Sequence, residues 1–220
     1  AVIAISLMLF IYPAITICLV VMVFHSVSGF CTAGFGLFTN NMIPIQNNIF
    51  INVVIDIICF AGAIGFFVLA DLTSFFSRKI AKKRGPWLSL HSKLALIVAV
   101  ALMVIGALFV YFTERKTNPA GNSVLTATFQ AISASTTTGY NSVDIGSMNP
   151  NSLLMLIILM FVGASPGSTG GGIKTTTLAV MVVALWALFT GREDVSVFRR
   201  RIPFFTVRKA FVLGLTATLL

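Results

Sequence analysis

Residues 24–35 read FHSVSGFCTAGF and residues 129–140 read FQAISASTTTGY. The two stretches lie over each other without a gap, Phe24 on Phe129 and Gly34 on Gly139, at a spacing of 105 residues. Ser28/Ser133 and Thr32/Thr137 are also identical; Val27/Ile132, Gly29/Ala134 and Phe35/Tyr140 are close. Each stretch is a short apolar segment, too short to cross a bilayer, that ends in a Thr- and Gly-containing turn. Each is flanked by longer apolar runs. Residues 1–20 read as one span with a kink at Pro13, 49–77 as a second carrying Asp56, and 94–112 as a third. Residues 151–190 form a long apolar segment interrupted at 163–172 by GASPGSTGGG. About 20 apolar residues cross the ~30 Å hydrocarbon core of a bilayer, so the pattern is that of a polytopic, all-α membrane protein.

Composition agrees. Of the 220 residues 57% are hydrophobic and 10% charged, where a soluble domain carries about 25% charged residues. The net charge of +9 would fit a nucleic-acid binder if it lay on a solvated face. Instead all but three of the 15 Lys and Arg fall in two blocks, 78–93 and 191–210, each a short loop between apolar runs. Basic loops stay on the cytoplasmic side. Both blocks are therefore expected inside and both Gly turns outside, with no nucleic-acid partner.

The resulting units are a helix–loop–helix repeat over 1–77, a basic loop over 78–93, a second repeat over 94–190 with a broken inner helix, a basic loop over 191–210, and the start of a further repeat over 211–220. Neither end reads as a leader, and the chain is expected to be an interior part of a longer protein. Internal repeats of this kind mark transporter and channel folds.

A short helix that enters the membrane and returns as extended chain leaves backbone carbonyls that must be buried or line a watery path. Such carbonyls can replace the hydration shell of a cation, as in potassium filters of the TVGYG type. Thr137-Thr138-Gly139-Tyr140 resembles that core, and Thr32-Ala33-Gly34-Phe35 occupies the matching place in the first copy. The partial negative charge at the end of the preceding helix also favours a cation. A ring needs about four such loops, so two do not close a pore.

The interruption at Gly163, Ser165, Pro166, Gly167, Ser168, Thr169, Gly170, Gly171 and Gly172, followed by Lys174, falls near the middle of the membrane in this reading. Discontinuous helices mark ion sites, and the run is read as a gate below the filter; the rival reading is a hinge that only lets helices pack. A phosphate loop needs Gly directly before Lys, and Ile173 intervenes. Lys174 and Asp56 are charges at membrane depth, which are costly and mark function or pairing. Glu114 and Asp144 are expected in a solvated outer vestibule. His25 is expected near the start of the first short helix and His91 in an interfacial loop. Cys18 and Cys59 are expected as buried small hydrophobes. No metal or nucleophile spacing points to an enzyme.

On FHSVSGFCTAGF, ASTTTGYNSVD and MFVGASPGSTGGGIKTTT, with FRRRIP over 198–203, the chain resembles the membrane subunit of the Ktr/Trk/HKT potassium transporters, and the Ktr branch more than the others. The resemblance implies four helix–pore loop–helix repeats in the whole subunit, of which these are the second and third, with a gating loop at 163–174. It implies one Gly per filter position, potassium at the filter carbonyls with sodium as the alternative ion, and no covalent cofactor. It also implies a homodimer in membrane lipid of the cell membrane, gated by a cytosolic nucleotide-binding subunit. Thr32 stands where the family often has Asn. Other readings are a different pore-loop channel built as a tetramer, and a non-conducting assembly subunit.

Overall fold

The structure is a computed structural model and describes residues 13–81, 88–117, 123–191, 194–198 and 200–219. Within these the regular elements are helices apart from one small hairpin, with irregular chain between them. Helix α1 runs Pro13–Phe30, α2 Ile49–Ile64, α3 Phe66–Ile80, α4 Leu90–Thr117, α5 Val124–Ser135, α6 Pro150–Val162 and α7 Thr175–Phe189. A hairpin of β1 (Ser196–Val197) and β2 (Arg200–Arg201) leads into α8, Phe204–Leu219. The hairpin is antiparallel, Ser196 opposite Arg201, and an Arg201–Asp194 ion pair braces it.

Several expected boundaries move. Residues 21–30 continue α1 instead of forming a separate short segment, and residues 1–12 of the expected 1–20 span lie outside the described residues. The 49–77 segment is not one straight span: α2 and α3 meet at 106° across Gly65. Gly65 has φ 91° and ψ 150°, a conformation open to glycine and closed to residues with a Cβ. The 94–112 span is part of the longer α4, and its 90–115 portion is the one single helix, among the described residues, long and apolar enough to cross a membrane. The segment 191–210 is not all loop, because α8 begins at Phe204 and takes in Arg208 and Lys209.

Local chemistry explains where the helices start. The Asn48 side chain accepts from the Ile51 N–H at the head of α2. Ser123 and Thr126 form a reciprocal capping box at the head of α5, satisfying donors that the first helical turn leaves open. Pro150 opens α6 behind Asn149, a position where its missing N–H costs nothing.

Helix α5 sits in the middle, packed on α4, α2 and α6, while α1 packs on α2 and α7 on α4 and α8. Val110, Ala127, Ala131, Leu156 and Leu159 fill the space between α4, α5 and α6. Met42, Ile55, Cys59, Phe129 and Tyr140 form a second cluster between α2 and α5. Polar residues lie inside: Asn52, Glu114, Gln130, Ser152 and Thr175 are buried. Val23 and Val27 on α1, Leu108 and Phe112 on α4, and Trp186 and Phe189 on α7 are exposed. A protein in water sorts its residues the other way, and an apolar exterior this broad fits a hydrocarbon surrounding. Cys18 belongs to that exterior and is exposed, against expectation; Cys59 is buried.

Helices α1 and α2 approach closely at glycines. A Cβ on Gly62 would lie 1.9 Å from the Phe30 carbonyl oxygen, whereas one on Gly106 would meet the Leu159 side chain at 2.5 Å. A side chain can rotate away and a backbone carbonyl cannot. Gly62→Ala is therefore expected to lower the thermal midpoint in detergent more than Gly106→Ala, by the equivalent of about 1–3 kcal/mol of overpacking. Equal midpoints would contradict the account.

Candidate functional site

The two repeated stretches end in the same way. At the end of α1 the Thr32 N–H donates to the Gly29 carbonyl (3.0 Å) and the Ala33 N–H to the Ser28 carbonyl (2.9 Å). At the end of α5 the Thr137 N–H donates to Ala134 (3.0 Å) and the Thr138 N–H to Ser133 (2.9 Å). This is the Schellman pattern, in which the residue after the helix cap turns left-handed and closes the last orphan carbonyls. That residue is commonly Gly; here it is Thr32 (φ 51°) and Thr137 (φ 57°), and Gly34 and Gly139 follow two positions on at φ 67° and 87°. A β-branched residue at positive φ is an outlier, and it occurs in both copies.

The two turns meet. A Cβ on Gly34 would fall 2.0 Å from the Thr138 carbonyl oxygen, while one on Gly139 would meet nothing within 4 Å. The loops beyond them are joined by the Met42 N–H on the Asn141 carbonyl (3.0 Å) and by the Asn41 amide on the Gly139 carbonyl (3.4 Å). Phe35 and Tyr140 match in sequence but differ in place. Phe35 is exposed and Tyr140 wholly buried. The Tyr140 hydroxyl reaches the His25 carbonyl (3.1 Å) and, across the repeat, the Phe35 carbonyl (3.3 Å), which also accepts from Ser28 Oγ (2.9 Å).

One matching pair was not legible as such. His25 and Gln130 occupy the same column of the repeat and differ chemically. His25 lies late in α1, buried, and its Nε2 accepts from the Leu37 N–H at 3.3 Å while Nδ1 faces the Val21 carbonyl at 2.7 Å. Gln130, its amide oxygen oriented by its neighbours, accepts from the N–H groups of Ser142 (3.0 Å) and Val143 (3.2 Å). Residues 37 and 142 are counterparts too. Each helix thus carries one side-chain acceptor that holds the returning chain. The available signal was a polar residue in the same column of two apolar helices.

The run 163–174 is a compact loop against both helix ends. Gly163, Gly167 and Gly172 have positive φ. A Cβ on Gly163 would lie 2.1 Å from the Gly171 carbonyl oxygen, and the Ala164 N–H donates to that same carbonyl (3.0 Å). The loop is stapled to the α2–α3 bend: Ser165 N–H to Ala63 (3.0 Å), Phe66 N–H to the Gly167 carbonyl (2.9 Å), with Pro166 between them. Ser165 and Thr175 hydroxyls pair inside at 3.0 Å, and Ser168 Oγ donates to the Ser165 carbonyl (2.5 Å). Thr169 Oγ1 lies 3.0 Å from the Phe30 carbonyl at the end of α1, and the Gly171 N–H donates to Thr137 Oγ1 at 2.8 Å. Gly170 sits between, with no room for a Cβ, which would come 2.8 Å from the Thr136 carbonyl oxygen.

Lys174 stands at the head of α7, the end whose dipole disfavours a cation. Its Nζ turns back to the Gly170 carbonyl (2.7 Å). No ion pair joins Lys174 to Asp56 among the described residues. Asp56 is buried and faces an apolar groove of about 670 Å³ between α2, α4 and α5. Glu114 is not in a vestibule: it is buried, and its Oε1 accepts from the Asn149 N–H at 2.9 Å, at the head of α6. Asp144 caps a short turn through the Gly146 N–H. His91 lies in the first turn of α4, not in a loop, edge-on to Phe67.

The family model of TrkH, described as a cation transport protein, matches residues 17–215. The chain belongs to the TrkH family. Among TrkH-family relatives, the potassium/sodium uptake protein NtpJ of Enterococcus hirae is 34% identical over 199 residues, 87% of this chain and 41% of that protein. The Ktr system potassium uptake protein B of Vibrio alginolyticus is 34% identical over 197 residues, 86% of this chain and 42% of that protein. The crystal structure of the potassium transporter TrkH from Vibrio parahaemolyticus matches the whole chain with a TM-score of 0.71 at 21% identity, and 48% of that protein is covered. The fold is therefore TrkH-like, and the chain spans less than half the length of these relatives. The TrkH family is one of cation transport proteins and not of enzymes.

Because Gly34 faces a backbone oxygen and Gly139 open space, alanine should separate them. Gly139→Ala carries only the left-handed strain, about 1–2 kcal/mol, and is expected to purify as folded protein. Gly34→Ala adds the steric conflict and is expected to melt lower by size-exclusion-monitored heating; the reverse order would refute the packing. At the other shared position, His25→Gln keeps an acceptor for Leu37 and His25→Leu abandons a part-buried N–H, a loss of about 1 kcal/mol. The Gln variant should melt above the Leu variant.

Proposed function

We propose that the chain forms part of a potassium uptake pathway across the cell membrane, with sodium as the alternative or accessory ion. Thr32, Ala33, Gly34 and Phe35 with Thr137, Thr138, Gly139 and Tyr140 line two of its four walls. The observation that carries this is the duplicated helix end. Two helices point C-terminal dipoles, which favour a cation, at one place where the chain turns left-handed at Thr and again at Gly. Backbone in such turns presents successive carbonyls to a common axis. Potassium is the substrate named for the relatives of Vibrio, and potassium and sodium for that of Enterococcus.

The loop 163–174 is the gate in this reading. Its contacts with Phe30, Thr136 and Thr137 support a position across the inner end of both turns, and glycine lowers the cost of a change in backbone conformation. The repeats are the second and third of four, the basic blocks 78–93 and 191–210 are cytoplasmic, and the turns face outside. The complete subunit works as a homodimer with a cytosolic nucleotide-binding regulatory subunit; the word system in the name of the Ktr relative supports partner subunits.

Potassium and sodium flux into proteoliposomes holding the full-length protein tests the assignment. Gly139→Ser is expected to weaken potassium-over-sodium discrimination, and unchanged discrimination would remove these residues from the filter. Deleting 165–171 is expected to raise flux; flux that stays low and regulated makes the run a hinge.

A further inference from the structure

We propose that the 163–174 loop also positions the selectivity turns, so that Thr169 and the Gly171 N–H set which cation passes as well as whether one passes. The inference rests on the pore reading above and concerns residues outside the turns themselves.

Thr32 and Thr137 occupy the same place in the two repeats, and both sit at positive φ. For a β-branched residue that conformation costs on the order of 1–3 kcal/mol and persists only where the surroundings over-determine it. Part of the restraint is the backbone bonding at each helix end. The Thr32 hydroxyl also meets the Cys31 carbonyl at 2.7 Å, and the side-chain contacts from outside the two turns come from one loop. Thr32 Oγ1 lies 3.2 Å from Thr169 Oγ1, and Thr137 Oγ1 accepts from the Gly171 N–H at 2.8 Å. Residues 169 and 171, two apart on one strand of chain, therefore hold a pair of threonines 105 apart in sequence.

Thr169 is itself fixed, with Oγ1 3.0 Å from the Phe30 carbonyl and 3.2 Å from the Gly62 carbonyl. Lys174 Nζ holds the Gly170 carbonyl from the other side. The threonine ψ directs the carbonyls of Thr32 and Thr137 themselves, and the threonine φ and ψ together set the path of the chain that carries those of Ala33 and Thr138. Freeing the threonine hydroxyls lets those angles relax and changes the size and field of the oxygen cage. A plug that only blocks the path would scale potassium and sodium flux together; a positioning contact changes their ratio.

The test measures the potassium-to-sodium flux ratio and total flux in proteoliposomes of the full-length protein. Thr169→Val removes the hydroxyl and keeps the shape. Loss of one neutral hydrogen bond predicts a fall in the ratio of roughly two- to tenfold, with Thr169→Ser restoring the wild-type ratio. Gly170→Ala is a second probe: its Cβ would lie 2.4 Å from the Ala164 Cβ and 2.8 Å from the Thr136 carbonyl oxygen, so it displaces the loop from both helix ends and should lower the ratio in the same direction. If folded variants change both fluxes by one common factor, or leave both unchanged, the inference is overturned and the loop is a plug alone. If wild-type vesicles pass neither ion, the transport reading falls, and this inference with it.

Discussion

Irregular backbone inside an apolar exterior has to find its hydrogen bonds within the protein wherever it does not line a watery path, because lipid supplies none. Most of the unusual features here answer that constraint. The ends of α1 and α5 close their last carbonyls with Schellman bonds instead of solvent. The returning chain is met by the side chains of His25 and Gln130. The loop between α6 and α7 gives its N–H groups to Ala63, the Gly171 carbonyl and Thr137 Oγ1, and takes the Phe66 N–H on Gly167. The bend at Gly65 is part of the same solution, since it frees Phe66 N–H and the Gly62 and Ala63 carbonyls for the loop to use.

The arrangement ties three elements that are far apart in sequence. The α2–α3 bend holds the loop, the loop holds the helix-end threonines, and the threonines direct the turns that contain Gly34 and Gly139. The contact between Gly34 and the Thr138 carbonyl closes the circuit. Movement of the loop is therefore felt on both sides, at the bend and at the turns.

The helical repeat, its spacing and the interruption of the last long segment were legible, because each is a pattern of hydropathy or of glycine that a short window displays. The bend at Gly65 was not: one glycine in an apolar run reads as a packing residue, and only its partner at 163–172 makes it a break. The fate of Glu114 was hidden for a related reason. Its position near a helix end looked solvated, but the Asn149 N–H of another helix needed an acceptor there. Cys18 was misplaced because apolar character in a membrane protein does not distinguish core from exterior. His25 and Gln130 share a column, yet imidazole and amide look unrelated until each is seen accepting from the equivalent backbone N–H, at Leu37 and Ser142.

The two turns are alike in backbone and unlike in surroundings: Gly34 is wedged against a carbonyl and Gly139 is open, Phe35 is exposed and Tyr140 buried. In an assembly of identical subunits, a mutation in such a turn is copied into every wall at once. In the pore proposed above, the walls are written separately into one gene. A tolerant turn can drift while its rigid neighbour keeps the geometry, so selectivity in a duplicated chain can be adjusted one wall at a time.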